Sequence, residues 1–318
     1  MISSRLAVGL LAGIASALIG GLWQVVTRQS TTTTIAPADL ALLRYLIPAL
    51  LLWPLWRRTG LLPRSVPRHL LLGMVLGAGL PFGLIAMSGT RLAPAAHMGV
   101  LMAGASPLFA ALFAWALWRD RPDRWRTLGL GCMAGGVLLL GGGSLTDSFN
   151  GSAGGMATAG AWRGDLLFLT AAALWAGFTL CFRRSGLTAW QGAAVVNAWS
   201  AVLLLPWLLW RGELRLFEAP LRDLLWQAAW QGVVAGLLGL AIFGVAIGRL
   251  GAARAAAFGG LAPVISALGG WWWLGDALAP LDWLAVALAL VGVALASGVV
   301  QARQNSSGQP PHKEPRHD

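Results

Sequence analysis

Residues 103–120 read AGASPLFAALFAWALWRD, and residues 259–276 read GGLAPVISALGGWWWLGD. Each is an apolar stretch with a proline near its start and an aspartate at its end, so Pro107 and Asp120 recur 156 positions on as Pro263 and Asp276. The same offset pairs Gly104 with Gly260, Trp115 with Trp271, Gly136 with Gly292 and Val137 with Val293. Earlier in each half it pairs Leu11 with Leu167, Ala15 with Ala171, Gly21 with Gly177 and Arg28 with Arg184. One hydrophobic unit written twice in 318 residues predicts a pseudo-symmetric membrane protein. In such proteins the interface between repeats is the natural place for a transport site.

Composition agrees. The chain is 57% hydrophobic and 11% charged, with a mean hydropathy of +0.68, against about 25% charged residues in soluble domains. That much apolar surface needs lipid as its solvent. The net charge of +11 does not mark a nucleic-acid binder, because the basic residues fall in short clusters between apolar runs, a topology signal. Two cysteines, Cys132 and Cys181, lie in apolar segments without metal-ligand spacing and read as small packing residues. The run from Leu6 to Val26 is too long for a signal-peptide core and reads as a first transmembrane helix.

The pattern predicts an all-α polytopic membrane protein with ten spans, at residues 6–26, 38–56, 69–88, 92–118, 125–143, 164–182, 189–210, 225–247, 252–274 and 280–301. With the N-terminus inside, sixteen arginines and lysines fall in inner segments and six in outer ones, which places both termini in the cytoplasm. The turn after the first hairpin carries Arg119, Arg121, Arg124 and Arg126, whereas its counterpart carries Asp276 and Asp282 and no basic residue. Opposite charge in one element is expected when five spans per repeat invert the second copy. The domains are then a first repeat at 1–143, a flexible outer linker at 144–162, a second repeat at 163–301 and a disordered tail at 302–318.

At this point the chain resembles the EamA-type branch of the drug/metabolite transporter superfamily. The resemblance rests on the ten-span repeat, on Ser106-Pro107 to Asp120 and Ala262-Pro263 to Asp276, on Gly164-Asp165-Leu166-Leu167 with Ala173-Leu174-Trp175-Ala176, and on Arg44-Tyr45 in the second span. Both hairpins end in Asp where the family commonly has Glu. The resemblance implies an inner-membrane carrier of small metabolites, often an exporter of amino acids or related compounds.

For the substrate cavity, the prolines come first. A proline within a helix frees the carbonyl four residues earlier, here those of Ala103 and Gly259. Freed carbonyls are tolerated at depth only when buried in protein or facing a wet cavity; a simple packing kink is the other reading. Ionisable candidates are Arg44, His97 and Arg254. Arg44 is expected to pair with Asp39. His97 either binds or relays a proton or makes a structural hydrogen bond to a neighbouring helix. Arg254 either snorkels to the headgroups or, with His97, draws an anionic group from opposite mouths of one cavity, since no acid is expected mid-span to oppose them. The aspartates read as helix-end punctuation. Trp23, Gln24, Tyr45, Ser106, Trp175 and Thr179 fill out the candidate lining, with Asn197, Phe243, Phe258 and Ser266. Gln24 and Asn197 are costly in lipid and should face protein or water. Trp53, Trp56, Trp118, Trp210 and the run Trp271 to Trp273 read as an interfacial belt.

A secondary carrier using small-molecule substrate and bilayer, without cofactor or metal, leads this reading; a homodimer is allowed. An ATP-driven pump lacks its Walker motif, and an enzyme lacks a nucleophile–base pair or ligand cluster in the spans. A lipid or small-molecule flippase, or a non-transporting membrane partner, fits the same span pattern.

Overall fold

The computed structural model describes residues 4–33, 35–119, 122–150, 160–250 and 258–296. Among these the chain is helical, with no strand. In chain order the helices are α1 (Ser4–Thr33), α2 (Pro37–Leu51), α3 (Trp53–Thr59), α4 (Arg68–Ala78), α5 (Leu80–Gly89), α6 (Ala95–Trp118), α7 (Arg124–Asn150), α8 (Ala161–Ser185), α9 (Ala189–Arg211), α10 (Leu221–Leu250), α11 (Ala262–Gly269, continued by a wide turn Gly270–Leu274) and α12 (Pro280–Ala296).

Seven helices or stacked helix pairs are long and apolar enough to cross a bilayer, and the α2–α3 pair makes an eighth span bent by 73°. The count of ten is therefore not reached by length alone among the described residues. The α12 helix is 17 residues long, and residues 251–257, which precede α11, lie outside the described set. The bend at Leu52 follows from Pro54, which cannot continue the hydrogen-bond ladder of α2 but fits the first turn of α3. The α7 helix runs on to Asn150 and α8 opens at Ala161, so helix reaches into both ends of the segment 144–162.

Small residues let these helices touch. On α1, Gly9, Gly13, Ala17 and Gly21 recur every fourth residue and form one stripe. A Cβ at Gly13 would stand 2.5 Å from the Phe258 ring, and one at Gly21 would stand 2.6 Å from Ile265 Cβ. Likewise, a Cβ at Gly129 on α7 would stand 2.5 Å from the Gly292 carbonyl oxygen on α12. The helix pairs α1 with α10, α4 with α8, α2 with α9 and α7 with α12 all join the first half of the chain to the second.

The two prolines have matching local settings. In α6 a stretch of π-helix, Met98–Gly104, runs up to the turn before Pro107, and the helix continues to Trp118. The wide turns absorb the hydrogen bond that Pro107 cannot make. Pro263 likewise sits in the first turn of its helical segment, Ala262–Gly269, after a cap residue with nearly the same backbone angles as that before Pro107, so in both places the missing N–H falls where it is already an orphan. The two elements meet, since a Cβ at Gly99 in the π stretch of α6 would lie 2.9 Å from Pro263 Cα.

Candidate functional site

Three polar clusters occupy the interior. The first joins α1, α2 and α10. Trp23 Nε1 donates to Gln231 Oε1 at 2.8 Å, and Gln231 Nε2 donates to Thr27 Oγ1 at 3.1 Å and to Gln227 Oε1 at 3.3 Å. Gln231 is completely buried and lies in an eleven-residue π-helical stretch, Ala228–Leu238. Against it, Gly232 and Gly236 let α10 close on Ile47 and Pro48 of α2. The Arg44 guanidinium lies 4.5 Å from the Trp23 ring centroid. Tyr45, buried beside it, donates its hydroxyl to the Gly79 carbonyl at 2.6 Å, at the break between α4 and α5.

Arg44 does not pair with Asp39. Five residues at about 100° each put the two side chains about 140° apart around α2, and no salt bridge joins them. Asp39 is instead buried near the outer loop, close to Arg215 and Glu218.

The second cluster ties the ends of α1 and α11 to the α5–α6 loop. Arg28 Nε contacts both Asp276 oxygens at 3.2 and 3.1 Å, and its Nη2 reaches Oδ1 at 3.1 Å. Its Nη1 donates to the carbonyls of Thr90 and Ala93 at 2.9 and 2.5 Å. Asp276 Oδ2 also accepts the Ala95 N–H at 3.1 Å. Asp276 is thus a buried inter-helix clamp, which corrects its reading as punctuation; Asp120 lies outside the described residues. Nearby, the Ser266 hydroxyl donates to the Ala95 carbonyl at 2.5 Å.

The third cluster is His97 Nδ1 against Asp165 Oδ1 at 2.8 Å, with side chains 7% and 4% exposed. An acid does therefore oppose His97, and the idea that His97 stands free to draw an anion is overturned. Its proposed companion, Arg254, lies outside the described residues.

The remaining candidates separate. Trp23 meets Arg44, with Tyr45 next to it in α2, whereas Gln24, Pro263 and Ser266 gather around Gly99, and the Gln24 Oε1 atom is buried without a partner. Ser106, Thr179 and Asn197 spend their polar groups within their own helices, on the carbonyls of Met102, Trp175 and Ala193. Trp175 and Phe243 are exposed; Trp175 stacks on Phe82 and Phe178. Phe258 packs on α1 at Gly13, and Pro107 is half-buried within α6. Sequence reasoning missed Gln231, Gln227, Thr27, Arg28 and Asp165. Glutamines within an apolar span are rare enough to have flagged the first two.

Two surface grooves lie away from these clusters. One, of about 320 Å³, runs between α1 and α10. The other, of about 700 Å³, runs along α7 with Leu288 of α12. Among the described residues no group of His, Cys, Asp and Glu is arranged to hold a metal ion.

A model of the EamA-like transporter family matches residues 7–142 and 162–298. Among solved structures, one crystal structure is similar with a TM-score of 0.57 at 22% sequence identity, over 96% of this chain and 100% of its own. At that identity the likeness speaks to the fold alone. No curated protein matches the chain.

Proposed function

The chain belongs to the EamA-like transporter family, and from that premise we propose that it is a secondary carrier exporting amino acids or related small metabolites across the inner membrane by alternating access. The observation that carries this reading is the polar cluster of Trp23, Thr27, Arg44 and Gln231, built from helices of both halves. At about 1.5 Å per residue, Trp23, Arg44 and Gln231 lie about 10–15 Å from the nearer ends of their helices, near the middle of a ~30 Å hydrocarbon layer. A bundle held together by apolar packing alone has no use for groups so costly in lipid.

In this reading the fold has ten spans as two inverted repeats. The helix pairings support it. If α1 to α7 hold spans one to five and α8 to α12 hold six to ten, then α1 on α10 and α4 on α8 exchange under a two-fold axis. The pairs α2 with α9 and α7 with α12 lie across that axis. Both termini are then cytoplasmic and the joining segment is on the outer face, as the arginine bias predicts.

The test is flux in proteoliposomes holding the purified full-length chain, with radiolabelled amino acids on one side and no ATP. Saturable flux supports the carrier. Absence of flux across a broad amino-acid and metabolite set, with lipid scrambling in its place, refutes it. Separately, a reporter fused at Gly154 that reads as cytoplasmic refutes the orientation.

A further inference from the structure

We infer that Arg44 recognises the anionic end of the transported solute, so that the carrier's substrates bear a carboxylate or a phosphate; the inference rests on the carrier reading above. Among the described residues Arg44 differs from the other interior basic side chains. Arg28 is paired with Asp276, and His97 is hydrogen-bonded to Asp165. Arg44 has no carboxylate within 4.0 Å among the described residues, and its Nη1 atom is buried with no hydrogen-bond partner.

Its surroundings position it without cancelling its charge. Below the guanidinium is the Trp23 ring, which the bond to Gln231 holds in place. Beside it is Tyr45, whose oxygen accepts from the guanidinium while its O–H donates to the Gly79 carbonyl. A ring face attracts a cation but supplies no counter-charge. Arg44 is buried at Nη1 but part-exposed over the side chain as a whole, and a solute group must reach the guanidinium from that exposed side.

An arginine held at this depth without a counter-ion is unfavourable in the empty protein. A carboxylate or phosphate arriving there is matched by the planar fork of N–H donors and restores neutrality. An amide of the same shape brings hydrogen-bonding capacity but no charge. The chemistry therefore predicts discrimination by charge.

The experiment compares flux of labelled alanine with alaninamide, and of succinate with succinamide, with inorganic phosphate as a separate arm, in proteoliposomes of wild type, Arg44→Gln and Arg44→Lys. The acid arms separate carboxylate from phosphate recognition. The expected result is that wild type moves an acid about ten- to a hundredfold faster than its amide, the range for a hydrogen bond to a charged group, or moves inorganic phosphate. Arg44→Gln loses that flux by a similar factor, and Arg44→Lys retains the preference. Size-exclusion profiles show that each variant is folded, and the wild-type acid-to-amide ratio decides even if one variant is not. Equal movement of acid and amide, or wild-type acid flux through folded Arg44→Gln, overturns the inference. Flux of neutral probes alone overturns it while leaving the carrier reading intact. No flux of any probe overturns the carrier reading, and the inference with it.

Discussion

Asp276→Asn should destabilise the protein, because it takes the carboxylate from a cation that cannot move far. Arg28 keeps the carbonyls of Thr90 and Ala93 but loses its only counter-charge among the described residues. Breaking a buried ion pair by removing one partner costs about 3–5 kcal/mol. Arg28 is 15% exposed and retains two acceptors, so the cost falls at or below the bottom of that range, about 2–3 kcal/mol. At roughly 2–4 °C per kcal/mol, the melting temperature in detergent falls by about 5–10 °C. The design that isolates the pair is a double-mutant cycle. Arg28→Met and Asp276→Asn each destabilise, and the combined variant loses less than their sum by about 2 kcal/mol. Additive losses, or a single variant that melts with wild type, would show that the bidentate geometry contributes nothing.

Three further outcomes follow from the packing and the polar clusters. Tyr45→Phe leaves the Gly79 carbonyl at the α4–α5 break without its 2.6 Å donor and should cost about 1–3 kcal/mol, read as a lowered melting temperature; an unchanged melt means the carbonyl finds another donor. Gly129→Leu forces a side chain into the Gly292 backbone, whose oxygen lies 2.5 Å from the Cβ position, and should abolish a monodisperse size-exclusion peak, whereas Gly131→Leu, where nothing lies within 4 Å, should not. Gln231→Leu strips Trp23 and Thr27 of their shared partner; a loss of solute flux larger than its loss of thermal stability supports a role in the carrier's site, and proportionate losses count against one.

The doubled hairpin was legible because proline, aspartate and glycine keep their spacing in a background of interchangeable aliphatics. The apolar helices were legible for the same reason that lipid selects them, since any 20 apolar residues suffice. Partners were harder to read. Asp276 at a helix end reads as hydrated punctuation until the fold brings up Arg28, which is 248 positions away. His97 and Asp165 stand 68 positions apart, and neither flanking sequence announces the other. Asp39 and Arg44 went wrong in the opposite direction. Proximity in sequence suggested a pair, but a spacing of five turns the side chains to different faces, which helical geometry alone could have foreseen. The proline contact was equally hidden. Both prolines open a helical segment, and the close approach of Gly99 to Pro263 is a tertiary contact that neither local sequence announces.

The Arg28–Asp276 clamp also sets a schedule for biosynthesis. Arg28 leaves the ribosome 248 residues before its carboxylate exists, which at about 5–20 residues per second is a wait of roughly 12–50 s. Throughout that interval α1 must hold an unpaired guanidinium near its end, where a long side chain can reach the headgroups. The last third of the chain therefore does more than complete the bundle. It delivers the counter-ion that lets the first helix settle, so α1, made first, is among the last to reach its final electrostatic state.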